Sequence, residues 1–160
     1  MNEKMLIKNL YDLDKTIAKP LLEKLDYPWE ALPKIKDFII ELGKTLDPEI
    51  YEQRGENIWV AKSATVYPSA HLGGPLIICE DAEVRHCAFI RGCAIVGKGA
   101  VVGNSTELKN SILFDGVQVP HYNYIGDSIL GYKSHTGAGT ITSNLKSDKS
   151  LVTVNCDNEK

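Results

Sequence analysis

The chain has 160 residues, 43% of them hydrophobic and 24% charged, with a formal net charge of −3; this is a globular profile with room for one or two compact units, and it argues against disorder. A net negative charge without a long basic run gives nucleic-acid binding little support, although a few local cations suffice to hold an anionic small molecule. No apolar run approaches the roughly 20 residues that span a bilayer, and the start MNEKMLIKNLYDLDK lacks the apolar core of a signal peptide, so a cytoplasmic protein with no membrane partner is expected.

Up to about Arg54 the predicted elements are helical. Apolar residues recur at helical spacing in Ile17, Ala18, Leu21, Leu22 and Leu25, and again in Leu32, Ile35, Phe38, Ile39 and Leu42. Pro20 falls near the start of the first segment, where it is tolerated. Pro28 separates the two segments, and Gly43 stands where a helix C-cap is expected. Helices this short need another surface for their apolar faces. Residues 1–55 are therefore predicted as an α-helical region packed on the rest of the chain or on a neighbouring subunit, and they hold no catalytic motif.

From Val60 the period becomes six. Val60, Val66, Leu72, Ile78, Val84, Ile90, Val96, Val102 and Leu108 are branched aliphatics, and four residues after each comes a mostly small side chain: Ala64, Ala70, Leu76, Ala82, Ala88, Ala94, Ala100, Thr106 and Ile112. This is the hexapeptide-repeat signature. Six residues make one short strand and its corner, and three such sides close a triangular coil of about 18 residues, with the aliphatic and the small residue turned inward. Successive coils then hydrogen-bond at a strand spacing of about 4.8 Å. The rhythm slips by one at Leu113, resumes at Val119 and Ile125, and slips again at Leu130 and Thr136. Glycines after the inward position (Gly73, Gly97, Gly103, Gly126, Gly131, Gly137) fit tight turns. The fold class predicted is mainly β, a parallel β-helix of about five coils over residues 56–160. Because an uncapped coil leaves an unpaired strand edge, the β-helix is expected to continue past Lys160.

Cys79, Cys87, Cys93 and Cys156 form no C-x-x-C pair and read as free thiols. Cys87 and Cys93, six apart, are expected to fill equivalent small buried slots rather than to ligate a metal. Among the four histidines, His71, His86, His121 and His135, no convincing set of three is spaced for zinc, so no structural metal is expected.

Stacked coils bring residues 18 apart together, and Arg91 and Lys109 have that spacing, each directly after an inward aliphatic. Two cations on one face of adjacent coils favour a shared anion such as a phosphate; the alternative is two solvated cations, each with its own carboxylate. His121 lies in VPHYNYIGD at the phase slip, where a side chain can leave the regular wall. Glu107, two before Lys109, offers a carboxylate able to orient an imidazole.

The stretch from Arg91 to Asn144, with GNSTELKNS, VPHYNYIGDSILG and HTGAGTITSN, resembles the acetyltransferase domain of the bifunctional glucosamine-1-phosphate acetyltransferase / N-acetylglucosamine-1-phosphate uridylyltransferase family over about a third of the chain. The resemblance implies a left-handed coil, a homotrimer, acetyl-CoA as co-substrate and an amino-sugar 1-phosphate acceptor, in nucleotide-sugar biosynthesis. It implies His121 as the general base that deprotonates the sugar amine, Glu107 as the carboxylate supporting it, and Asn144 as a sugar-positioning amide in the same catalytic set. It further implies Arg91 and Lys109 as phosphate ligands, Tyr124 as a sugar-phosphate contact and Ala138 as a backbone contact to the acetyl donor. His135 stands where the family has a sugar-contacting Asn, and Leu145 where it has Tyr. Beside the N-acetyltransferase stand a non-catalytic sugar-phosphate-binding or assembly module and nucleotidyl transfer. The last needs a glycine-rich phosphate-binding start and an α/β domain, in place of which this chain has helices.

Overall fold

The protein is described here by a computed structural model over residues 3–142 and 146–150. Three short α-helices come first, α1 (Ile7–Leu10), α2 (Lys19–Leu22) and α3 (Ile35–Gly43), joined by 3₁₀ turns. Pro20 sits in the first turn of α2, where its missing N–H costs nothing. The Glu30 carboxylate accepts from the N–H groups of Asp26 and Tyr27 at 2.9 Å each, anchoring the 3₁₀ stretch that leads into α3. Gly43 is not the expected C-cap: it closes α3, and Lys44 after it is still right-handed, with φ −65° and ψ −18°. A Cβ at 43 would collide with the Trp59 ring, so close helix–wall approach is what requires glycine.

The helical region ends before Arg54. Tyr51–Gly55 (β1) is a strand, antiparallel to β2 (Ile58–Ala61). The remaining strands are β3 (Thr65–Val66), β4 (His71–Leu72), β5 (Leu76–Ile78), β6 (Glu83–Val84), β7 (Phe89–Ile90), β8 (Ala94–Val96), β9 (Val101–Asn104), β10 (Glu107–Leu113), β11 (Gln118–His121) and β12 (Tyr124–Leu130). From β2 onward every pairing is parallel, in about four turns of a left-handed β-helix. The first wall is β2, β5, β8 and the second halves of β10 and β12; the second is β3, β6, β9 and β11; the third is β4, β7 and the first halves of β10 and β12. Val60, Ile78, Val84, Ile90, Val96, Val102 and Leu108 are fully buried, with Ala82, Ala88, Ala94, Ala100 and Thr106 beside them, as the six-residue rhythm requires.

From Asp81 onward each corner carries a left-handed residue. Positive φ recurs at Asp81, Cys87, Cys93, Gly99 and Ser105, then at Asn110, Gly116 and Tyr122, then at Asp127, Lys133 and Gly139. The interval drops from six to five on reaching Asn110 and Asp127, so the rhythm slips at the two corners that close the third wall. Register confirms the shortening: Ile90 pairs with Leu108 but Leu108 pairs with Ile125. Asn and Asp tolerate this conformation best among residues with side chains. The slot expected for Ile112 is accordingly taken by Ser111, which pairs with Ala94 and bonds to the Ile125 carbonyl at 3.1 Å. Cys87 and Cys93 are corner residues rather than buried fillers, Cys87 exposed and Cys93 half-buried. None of the six glycines expected at tight turns has a positive φ; at Gly97 and Gly103 a Cβ would run into the backbone of Phe114 and Pro120 on the next coil.

The first wall is apolar on both faces. Trp59, Ile77, Ile95, Ile112 and Ile129 pair in succession, one per coil, and alternate with the inward row. They are covered by the helical layer, with α3 packed on β5, β8 and β10. The helices and the β-helix thus share one core.

Candidate active site

The third wall and the corner before it hold most of the candidate side chains. Ile90, Leu108 and Ile125 are in register, which aligns Arg91, Lys109 and Gly126 as one outward column and Phe89, Glu107 and Tyr124 as the next. Arg91 and Lys109 therefore stand on adjacent coils. Each has its own carboxylate: Arg91 Nη1 lies 2.9 Å from Glu107 Oε1, and Lys109 Nζ 2.9 Å from Asp127 Oδ2. Glu107 raises the basicity of Arg91, and Asp127 raises that of Lys109, so both stay charged at neutral pH. Asp127 also accepts from Asn110 Nδ2 at 2.8 Å, which locks the shortened corner beneath Lys109.

Tyr124 is half-buried and lies across Gly126, close enough for its phenol to act electrostatically on both cations. His121 ends β11 and is exposed, at the corner between the second and third walls; among the described residues its imidazole makes no hydrogen bond. Its backbone N–H donates to Asn123 Oδ1 at 3.1 Å, and Asn123 Nδ2 donates to the Gly137 carbonyl at 2.7 Å. Buried Asn123 thus ties the His121 corner to the coil above. Glu107, expected beside the imidazole, turns its carboxylate to Arg91 instead.

Ala138 is exposed on the coil above His121, next to Gly139, whose N–H donates to the His121 carbonyl at 3.2 Å. His135 bridges Gln118 on the second wall, so it does not join Arg91, Lys109 and Tyr124 on their face. Asn144 and Leu145 lie outside the described residues. Asp127 and Asn123 were missed from the sequence. The available signals were the Asp after Gly126 in YIGD and an amide at the inward slot that Thr106 fills one coil below. Among the described residues no group of three His, Cys, Asp or Glu side chains is placed to hold a metal ion, and no helix is long and apolar enough to cross a membrane.

Residues 55–157 match the family described as the GMPPB C-terminal domain. The chain is similar to the bifunctional protein GlmU of Methanococcus aeolicus, 48% identical over 56 residues (35% of this chain, 14% of that protein). To the bifunctional protein GlmU of Zymomonas mobilis it is 36% identical over 106 residues, covering 65% of this chain and 23% of that protein. The bifunctional sugar-1-phosphate nucleotidylyltransferase/acetyltransferase of Sulfurisphaera tokodaii is 41% identical over 51 residues, 32% of this chain and 13% of that protein. This chain thus spans less than a quarter of the length of these relatives. Among solved structures, the acetyltransferase domain of PglB from Neisseria gonorrhoeae is similar in fold, with a TM-score of 0.50 at 23% identity, over 52% of this chain and 42% of that one.

Proposed function

The chain belongs to the GMPPB C-terminal domain family, which its residues 55–157 match, and from that footing we propose that it is an acetyl-CoA-dependent N-acetyltransferase acting on an amino-sugar 1-phosphate in nucleotide-sugar biosynthesis. The observation that carries the proposal is one cluster: Arg91 and Lys109 on adjacent coils, Tyr124 between them and the corner, and His121 exposed at that corner with its imidazole making no hydrogen bond among the described residues. In this reading the phosphate displaces Glu107 and Asp127 from their cations, exchanging one charge-assisted pair for another. The amine attacks the thioester carbonyl, His121 takes the amine proton, and the thiol of coenzyme A leaves; Ala138, small and exposed on the next coil, leaves room for the acyl donor. In this reading Asn144 completes the acceptor contacts, and His135, on the second wall, is left out of that set. The three flat walls offer little enclosure by themselves, which favours a homotrimer with sites between prisms, and the proposed setting is the cytoplasm.

A second reading keeps the same wall without the chemistry, as a sugar-phosphate-binding or assembly module; it is favoured by both cations already being paired. One experiment separates them. Release of free thiol from acetyl-CoA is followed on the full native protein with glucosamine 1-phosphate and galactosamine 1-phosphate in turn. Turnover with an amino-sugar phosphate is expected; no thiol release with any acceptor, while the sugar phosphate still binds, overturns the enzyme reading in favour of the module.

A further inference from the structure

The second wall carries a concavity that the chemistry proposed at His121 does not use. It has a volume of about 340 Å³ and is lined by Tyr67, Glu83, Arg85, His86 and Asn104. Tyr67 and Arg85 directly follow the inward residues Val66 and Val84 on adjacent coils, and the next member of their column is Gly103, so the wall above Arg85 has no side chain.

The lining groups are fixed, yet each keeps capacity for a ligand. His86 Nδ1 is engaged with Ser69 Oγ at 2.9 Å, which sets the ring and leaves Nε2 to the cavity. Asn104 Nδ2 donates to the His86 carbonyl at 3.0 Å, and among the described residues its Oδ1 accepts only from Ser105 at 3.2 Å. Arg85 Nη2 pairs with Glu83 Oε2 at 3.0 Å, leaving other donors of the fork and the second carboxylate oxygen. The Tyr67 hydroxyl has no hydrogen-bond partner among the described residues. Tyr67 and His86 rings lie 4.4 Å apart, tilted by 44°.

We propose that this concavity is a carbohydrate subsite that takes an uncharged pyranose. Guanidinium and carboxylate stand side by side, so an anion meets Glu83 and a cation meets Arg85; a neutral ligand with several hydroxyls satisfies both. The tilted rings give an apolar floor for the C–H face of a sugar but no flat slab for a planar base. The volume is at the lower end of small-molecule sites, in keeping with a single sugar unit. Asn104 pairs with His121, so the subsite lies one coil from the proposed base while remaining on a different wall from Arg91 and Lys109.

The test is saturation-transfer NMR on the full native protein with methyl glucoside and N-acetylglucosamine as probes and uridine as the planar comparison. Saturable transfer to the sugars is expected, weakened on the order of tenfold by Tyr67→Ala and by Arg85→Ala, and changed less than about threefold by Tyr67→Phe or Lys109→Ala. Melting curves check that each variant folds, and Arg85→Ala carries the test should Tyr67→Ala not fold. The proposal is overturned by absence of saturable transfer, by stronger binding of uridine than of either sugar, or by loss with Lys109→Ala but not with Arg85→Ala, which would assign the signal to the third wall. None of these outcomes depends on acetyl transfer, so the subsite and the proposed activity stand or fall separately.

Discussion

The Tyr124 phenol lies flat across Gly126: a Cβ at position 126 would stand 2.5 Å from the phenolic oxygen and 2.7 Å from Cζ. Gly126 follows Lys109 in the outward column, so its missing side chain is what lets the ring reach the cations. Gly126→Ala should push the ring away with little cost to the fold, since the displaced group is the far end of a side chain. The expected result is a rise in acceptor KM on the order of tenfold with kcat and melting temperature nearly unchanged. An unaltered KM would remove Tyr124 from the acceptor site.

Glu107 touches Arg91, not His121, and that contact separates two roles for one carboxylate. If Glu107 acts by holding the guanidinium, Glu107→Gln changes acceptor KM through the freed Arg91 and leaves the pH profile of kcat in place. If it orients the imidazole once substrate is bound, kcat falls and its pH profile shifts. The geometry favours the first pattern, and steady-state kinetics across pH decides between them.

His121→Ala removes the proposed base without touching either cation. Acetyl transfer should fall by about a hundred- to ten-thousand-fold while affinity for the sugar phosphate, read by calorimetry, stays within about twofold. Equal turnover in the variant would refute the role of His121.

The six-residue rhythm made the inward rows legible, because only residues facing the narrow prism must repeat in type. Corner geometry was less legible. Cys87, Cys93, Tyr122 and Lys133 all take the left-handed conformation that sequence reasoning reserves for Gly, Asn and Asp, and the coil imposes it through its hydrogen-bonded neighbours. In the site, the adjacency of Arg91 and Lys109 followed from an interval of 18, whereas their carboxylate partners depend on side-chain reach and on where the corner shortens. Glu107 was within range of two partners, and spacing alone could not choose between them.

The outward apolar row of the first wall was also readable as an anomaly, since Ile77 and Ile95 are apolar where a solvated wall would be polar. It decides how the helical layer is held. Ile95 is fully buried between Ile77 and Ile112 beneath α3, so Ile95→Ala should cost about 2–5 kcal/mol. Phe89 on the third wall is 43% exposed, and Phe89→Ala should cost markedly less despite deleting a larger side chain. Urea unfolding of both variants tests the ranking; equal losses would mean that the helices contribute little to the β-helix.

Glu80 joins the β1 hairpin to the coils: Tyr51 Oη donates to its Oε2 at 2.6 Å, and Lys98 Nζ lies 2.9 Å from its Oε1. Burial works to raise the Glu80 carboxyl, but the hydrogen bonds from Tyr51 and Lys98 outweigh it and hold it below the ordinary value of 4.5. A carboxyl depressed on folding contributes stability that is present above its unfolded value and is lost as pH falls through the folded one. Asp115 has the opposite sign, its carboxyl raised by burial, so the acid limb of the native protein mixes the two. The clean quantity is the difference in melting temperature between the native protein and Glu80→Gln. It should amount to about a few degrees at neutral pH and close as pH falls through the lowered Glu80 value, below the ordinary 4.5, because a protonated Glu80 and a glutamine are nearly alike. A gap that persists unchanged into acid would mean that the carboxylate charge is not what fastens the hairpin.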